Sequence, residues 1–258
     1  MLGPTLFVIC INDIDDVINT VSGIISKFAD DTNLGRCMES DEDRVVLQQE
    51  IDNFVQWADT RQMEFNADKC KVLHLGGKNG KYKYHMGGFA PAGQILEETK
   101  EEKDIGVIIT NTLKPHTQCV KAAKKANQVH VLGQMSRGLH FRDKFTWIWL
   151  YRQYCRPHLD YCAQAWTPWP KTDIDLLEAV QERAVRMVSG LKGKTYEDRL
   201  KEVGLTTLVE RRKRCGKLCI RRMMWKQPLG SPLQIILLPV QPPVYRAIHG
   251  VFLNQERN

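Results

Sequence analysis

Long apolar runs are missing from this 258-residue sequence. The stretch from Leu6 to Ile11 is too short to span a bilayer and is followed at once by Asn12 and Asp13, so no membrane helix is expected. A disulfide framework is missing too. The eight cysteines fall without regular spacing and no secretory segment precedes them, which points to a reduced intracellular setting, nucleus or cytoplasm, and to a chain that is not secreted. Cys155, His158 and Cys162 have metal-like spacing, as do Cys215 and Cys219, but neither set supplies a fourth ligand for structural zinc. A phosphate-cradling loop is excluded as well. Gly76-Gly77-Lys78-Asn79-Gly80-Lys81 is rich in glycine yet lacks the Gly-Lys-Ser/Thr ending and the helix that should follow.

What is present is a hydrophobic content of 43%, enough for one large or two modest cores, and a net charge of +7. That charge favours a polyanionic partner, although solvated Lys and Arg on ordinary helix faces give the same balance. The most informative local feature is the run Lys27-Phe28-Ala29-Asp30-Asp31-Thr32-Asn33-Leu34. Apolar residues Ile24, Ile25 and Phe28 precede it, and Leu34 and Cys37 follow, so the segment reads as a hairpin with Asp30 and Asp31 at its tip. Two adjacent carboxylates on a turn can hold magnesium, which takes one or two carboxylates together with substrate phosphates and water. Two such ions about 3.5–4 Å apart serve an in-line phosphoryl transfer. Asp-Asp also occurs as a plain solvated turn.

Periodicity predicts a helix beginning near Pro4, with Leu6, Ile9, Cys10, Asp13, Ile14 and Val17 on one face. A second helix is expected from about Asp41 as N-cap, with Val46, Gln49, Ile51, Phe54, Val55 and Ala58 on the face toward the hairpin's sheet. Trp57 is expected in the core or at its rim. Tyr82 to Met86 reads as a short strand and Asp104 to Thr110 as a buried one. From His116 the period turns helical: Ala122, Ala126, Val129 and Leu132 line one face, leaving Lys121, Lys124 and Lys125 on others. Thr172 with Asp175, Thr195 with Asp198 and Thr207 with Glu210 are capping-box signals for three further helices. Leu177, Val180, Ala184, Met187, Val188 and Leu191 form an apolar stripe along the first of them.

Phe28-Ala29-Asp30-Asp31-Thr32 resembles the catalytic turn of reverse transcriptases from non-LTR, LINE-type retrotransposons, especially CR1/jockey-like members. Several other segments follow that family's pattern in order: Leu2-Gly3-Pro4-Thr5-Leu6-Phe7 and Ile11-Asn12-Asp13-Ile14; Trp57-Ala58-Asp59; Met63-Glu64-Phe65-Asn66; Lys69-Cys70-Lys71-Val72-Leu73-His74-Leu75-Gly76; Asp104-Ile105-Gly106-Val107; Arg156-Pro157-His158-Leu159-Asp160-Tyr161; Trp166-Thr167-Pro168; and Val180-Gln181-Glu182-Arg183-Ala184. The resemblance covers about residues 2–214.

It implies an α+β fold: a truncated polymerase palm, made of an antiparallel sheet with packed helices, followed by a helical thumb and C-terminal helices. Residues 1–76 would be the partial palm, 77–115 connecting strands and loops, 116–226 the helical thumb and post-thumb region, and 227–258 a divergent, disordered tail. Asp30 and Asp31 would be catalytic and hold Mg2+. Lys69 would protonate or stabilise the leaving pyrophosphate, with Lys71 as the other candidate. Residues 72–76 would form a hairpin gripping the primer end. Lys121, Lys124 and Lys125, with Arg211, Arg212, Lys213 and Arg214 and beyond them Lys217, Arg221 and Arg222, would contact the phosphates of an RNA template and DNA primer, or of an RNA–DNA hybrid. The sequence begins inside the motif that precedes the catalytic turn. The third metal-binding aspartate and the fingers of the resembled polymerases are therefore expected to be absent, and the chain alone catalytically incomplete. A non-catalytic RNA- or DNA-binding module and a pseudogene-like product without selected function are the alternative readings.

Overall fold

Strand residues that alternate in burial build the hairpin around Asp31, and a computed structural model shows how. It describes residues 3–17, 23–28, 31–76, 79–87, 93–128, 137–138, 142–220 and 233–241. Contacts divide the chain into two units: Met1–Glu102 with Thr110–Leu113 and Pro228–Asn258, and Lys103–Ile109 with Lys114–Gln227. The mixture of helices and small sheets is α+β, as expected.

In the first unit, helix α1 (Gly3–Ile11) passes into a tighter turn over Asn12–Val17, and the hairpin follows as β1 (Gly23–Phe28) and β2 (Asp31–Cys37). Next come α2 (Asp41–Thr60), β3 (Glu64–Phe65), β4 (Lys71–His74), β5 (His85–Met86), β6 (Gln94–Ile95) and β7 (Glu97–Thr99). A last strand, β10 (Leu233–Gln241), completes a sheet of order β1-β2-β10-β4-β7, with β3 also paired to β10. Helix α2 covers one face of this sheet. Its Leu47, Ile51, Phe54, Trp57 and Ala58 form one core with Leu34, Cys70, Val72, Tyr84, Met86 and Leu96.

Several expectations are corrected here. Leu233–Gln241, inside the segment expected to be a disordered tail, is a strand, because an apolar segment of strand length finds unsatisfied ladder edges on both sides. Leu6 and Ile9 on α1 are 53% and 65% exposed, whereas Ile11 and Ile14 are buried, so the inward face begins one turn later than the periodicity suggested. The N-cap of α2 is Ser40 rather than Asp41; the Asp43 carboxylate accepts from the Ser40 backbone N–H at 2.9 Å and from its hydroxyl at 3.1 Å. Residues 72–74, expected within a primer-gripping hairpin, lie instead in the single strand β4 between β10 and β7.

The second unit opens on a hairpin, β8 (Glu101–Asp104) and β9 (Val107–Thr110), of which Glu101, Glu102 and Thr110 belong to the first unit. One continuous buried strand over Asp104 to Thr110 is ruled out by its turn, where Ile105 and Gly106 take φ of 42° and 81°. Helices α3 (His116–Asn127), α4 (Lys144–Leu150), α5 (Arg156–Asp160), α6 (Ala163–Trp166), α7 (Lys171–Arg186), α8 (Tyr196–Val203) and α9 (Leu208–Ile220) follow, α4 running into α5 through a wider turn at Tyr151–Cys155. Ala122, Ala126, Trp147, Tyr151, Leu177, Val180, Ala184, Val188 and Leu191 share one core, so the apolar stripe of α7 faces inward. Thr195 caps α8 by accepting from the Asp198 N–H, and Thr207 accepts from the Glu210 N–H at 3.2 Å before α9. The third cap signal is displaced. Helix α7 starts from Pro170, because the extended Pro168-Trp169-Pro170 run lets it begin two residues before Thr172. Among the described residues no helix is long and apolar enough to cross a membrane.

Candidate metal-binding turn and cationic surfaces

β1 and β2 pair antiparallel from Gly23↔Arg36 to Phe28↔Asp31. The closing pair leaves two residues of sequence between the strands, Ala29 and Asp30, which lie outside the described residues. Asp31 is therefore the first residue of β2, and it is exposed. Behind it, Thr32, Leu34 and Arg36 are buried at 0%, 1% and 3% exposure, every second residue facing the core. The hairpin is anchored at both ends. Lys27 Nζ reaches the carbonyls of Ile11 and Asn12 at 3.4 and 3.2 Å, meeting the electronegative end of α1. Arg36 Nη2 donates to Glu50 Oε1 on α2 at 2.5 Å, both side chains about 4% exposed, with Asp43 at 3.9 Å. Reading by hydrophobic face missed this buried pair. Its only signal was a glutamate on the inner side of α2 and an arginine in register with the leucine of β2.

Lys69 lies in the turn before β4, exposed, with its backbone N–H on Asn66 O at 2.9 Å. Lys71, the alternative, is half-buried and sits 3.3 Å from Glu97. Lys71 pairs with Leu237 of β10, and Leu237 pairs with Asn33 of β2. Two strand spacings, roughly 10 Å, therefore separate Lys71 from Asn33. β2 and β4 run in the same direction, so Asp31 and Lys69, each two residues earlier, lie at the same end of the sheet.

The other candidates belong to the second unit. Lys121, Lys124 and Lys125 are exposed on α3, whose Ala122, Ala123 and Ala126 are buried. Lys125 also acts on His158, which burial first and this cation second hold below the ordinary imidazole range. The arginine-rich stretch divides. Arg211 donates to Asp160 at 2.5 Å and Arg214 to the Thr206 hydroxyl at 2.8 Å, while Lys213 is exposed. Arg212 is placed differently: it is 6% exposed, stacks 4.3 Å over the Trp166 ring and donates to Leu159 O at 2.6 Å. A guanidinium so placed packs against an aromatic face. The Lys217 side chain, Arg221 and Arg222 lie outside the described residues.

Cys155 is fully buried, its thiol pushed up to about 12 by that burial, whereas Cys162 is exposed. Among the described residues no group of three His, Cys, Asp or Glu side chains could hold a metal ion.

Over 204 residues the chain is 25% identical to the RNA-directed DNA polymerase from mobile element jockey of Drosophila funebris, and over 201 residues 22% identical to that of Drosophila melanogaster. Each match covers 74% of this chain and 21% of the relative, so the chain spans about a fifth of the length of the curated relatives it matches. Jockey is a non-LTR, LINE-type element. No solved structure matches the chain. The family model described as reverse transcriptase (RNA-dependent DNA polymerase) matches residues 1–135, which include the Asp-Asp hairpin, α2, the strands through β9 and all of α3. With that match over more than half of its length, the chain belongs to the reverse transcriptase family.

Proposed function

We propose that this chain is part of the RNA-directed DNA polymerase of a non-LTR retrotransposon, with a palm-like first unit and a thumb-like second unit, and that alone it binds a divalent metal and nucleic acid without polymerising. The observation that carries the reading is the hairpin register, which starts β2 at Asp31 beside a two-residue gap containing Asp30, within a family match. Asp30 and Asp31 would hold Mg2+; when bound, the ion supplies charge stabilisation and a polarised oxygen ligand for phosphoryl transfer.

The chain's own residues do the rest. Lys27 and the Arg36–Glu50 pair fix the hairpin to its helices, so the strand that begins at Asp31 is held before an ion arrives. Lys69, at the same end of the sheet, supplies a cation toward a leaving phosphate. Two neighbouring carboxylates satisfy one ion with water and substrate oxygens, but two ions ask for more anionic ligands than they offer. Full-length chain titrated with Mn2+ tests the reading: binding is expected, and Asp30→Asn or Asp31→Asn weakens it at least tenfold. Equal affinity in both variants overturns it.

A second reading, a nucleic-acid-binding module, is favoured by one observation. Lys121, Lys124 and Lys125 are exposed on a helix held by buried alanines, which suits phosphate contacts that carry no sequence information.

A further inference from the structure

β10 enters the sheet from far along the chain, yet it lies at the centre. It pairs with β2 over seven residues, from Leu233↔Cys37 to Pro239↔Asp31, and with β4 over four, from Gln234↔His74 to Leu237↔Lys71. Its end also pairs with β3 through Val240↔Phe65 and Gln241↔Glu64. Without it the sheet separates into β1-β2 on one side and β4-β7 on the other. The facing edge of β2 includes the buried residues Thr32, Leu34, Gly35 and Arg36, whose backbone groups need ladder partners. The nine residues of β10 contain no acid, and the residue in register with Asp31 is a proline.

We infer that Leu233–Gln241 is a filler strand that closes the slot between β2 and β4 within its own chain and places a proline where a second strand could bring an acid to Asp31. The slot is general: it takes an antiparallel apolar strand through backbone bonds, and the residue at position 239 decides what stands beside Asp31. In an antiparallel pair, directly opposed Cα atoms lie about 4.5–5.5 Å apart. That is close enough for two carboxylates to share one divalent ion. The inference rests on the proposed metal role of Asp31, and the experiment separates the two.

Two variants of the full-length chain suffice. Cys37 is in register with Leu233, so Leu233→Cys is expected to form, on mild oxidation, a disulfide between positions 37 and 233 within one chain; the opposed Cα spacing permits it. Peptide mapping that finds no such link, or finds it between two chains, overturns the filler strand. Pro239→Asp is expected to bind Mn2+ at least tenfold more tightly than the unaltered chain, and adding Asp31→Asn is expected to remove the gain. A link within one chain together with unchanged Mn2+ affinity in Pro239→Asp overturns the claim about position 239. If Asp31→Asn leaves the Mn2+ affinity of the unaltered chain untouched, the metal reading fails, while the filler strand stands or falls on the disulfide.

Discussion

Replacing Glu50 by leucine should unfold the first unit far more easily than its single changed side chain suggests. The Arg36 guanidinium is about 4% exposed and takes its short contact, 2.5 Å, from the Glu50 carboxylate; Asp43 stands farther off at 3.9 Å. Removing one partner of a buried ion pair leaves its charge poorly compensated and costs about 3–5 kcal/mol, here with Asp43 still 3.9 Å from Arg36. Domains of this kind are stable by roughly 5–15 kcal/mol, so the loss is a large share of the whole. With a urea dependence of about 2 kcal/mol per molar, the midpoint should fall by about 1.5–2.5 M. Arg36→Met combined with Glu50→Leu removes both charges and should recover to within about 1 kcal/mol of the unaltered chain, or exceed it. Urea titration followed by hydrogen exchange at the β2 and α2 amides reads both variants. A cost below about 1 kcal/mol for Glu50→Leu, or a double variant as unstable as the single one, refutes the reasoning.

Other expected outcomes follow from single contacts. Changing Lys121, Lys124 and Lys125 to alanine should weaken single-stranded RNA binding and reduce its salt slope by roughly 0.7 per lost phosphate contact; an unchanged slope removes α3 as the contact surface. Lys125→Ala should raise the His158 titration midpoint toward that of free imidazole, measured by NMR, since the lysine contributes to its depression. His158 binds its proton less readily folded than unfolded, so acidification through the unfolded value of about 6.5 destabilises the folded chain, and the alanine variant should lose part of that effect. Tyr151→Phe removes the donor to Gln181 Oε1 at 3.0 Å inside a buried network; it should cost about 1–3 kcal/mol by thermal denaturation, and no loss would mean Gln181 finds another donor.

How far the sequence foretold the molecule depended on the range of the interaction. Local signals worked: the caps at Thr195 and Thr207, the hairpin around Asp31 and the apolar stripe of α7 all follow from spacing a few residues long. Long-range pairings were hidden. An isolated apolar octet flanked by prolines does not announce that it will pair with β2 two hundred residues away. Nor does a glutamate at position 50 announce an arginine on the strand its helix packs against, because burial of charge reverses the rule that reads polar residues as outward. Arg212 failed the same way: in a run of four basic residues nothing local marks the one that turns inward onto Trp166. The acidic positions of the candidate site were legible as residue types. What stands beside them in the sheet was not.

As proposed above, Asp30 and Asp31 would hold Mg2+ and the chain would not polymerise alone. Primer extension on an RNA template, with purified chain and Mg2+, tests it most directly. No template-directed product above that of an Asp30→Ala chain is expected; magnesium-dependent synthesis that Asp30→Ala abolishes would refute the proposal.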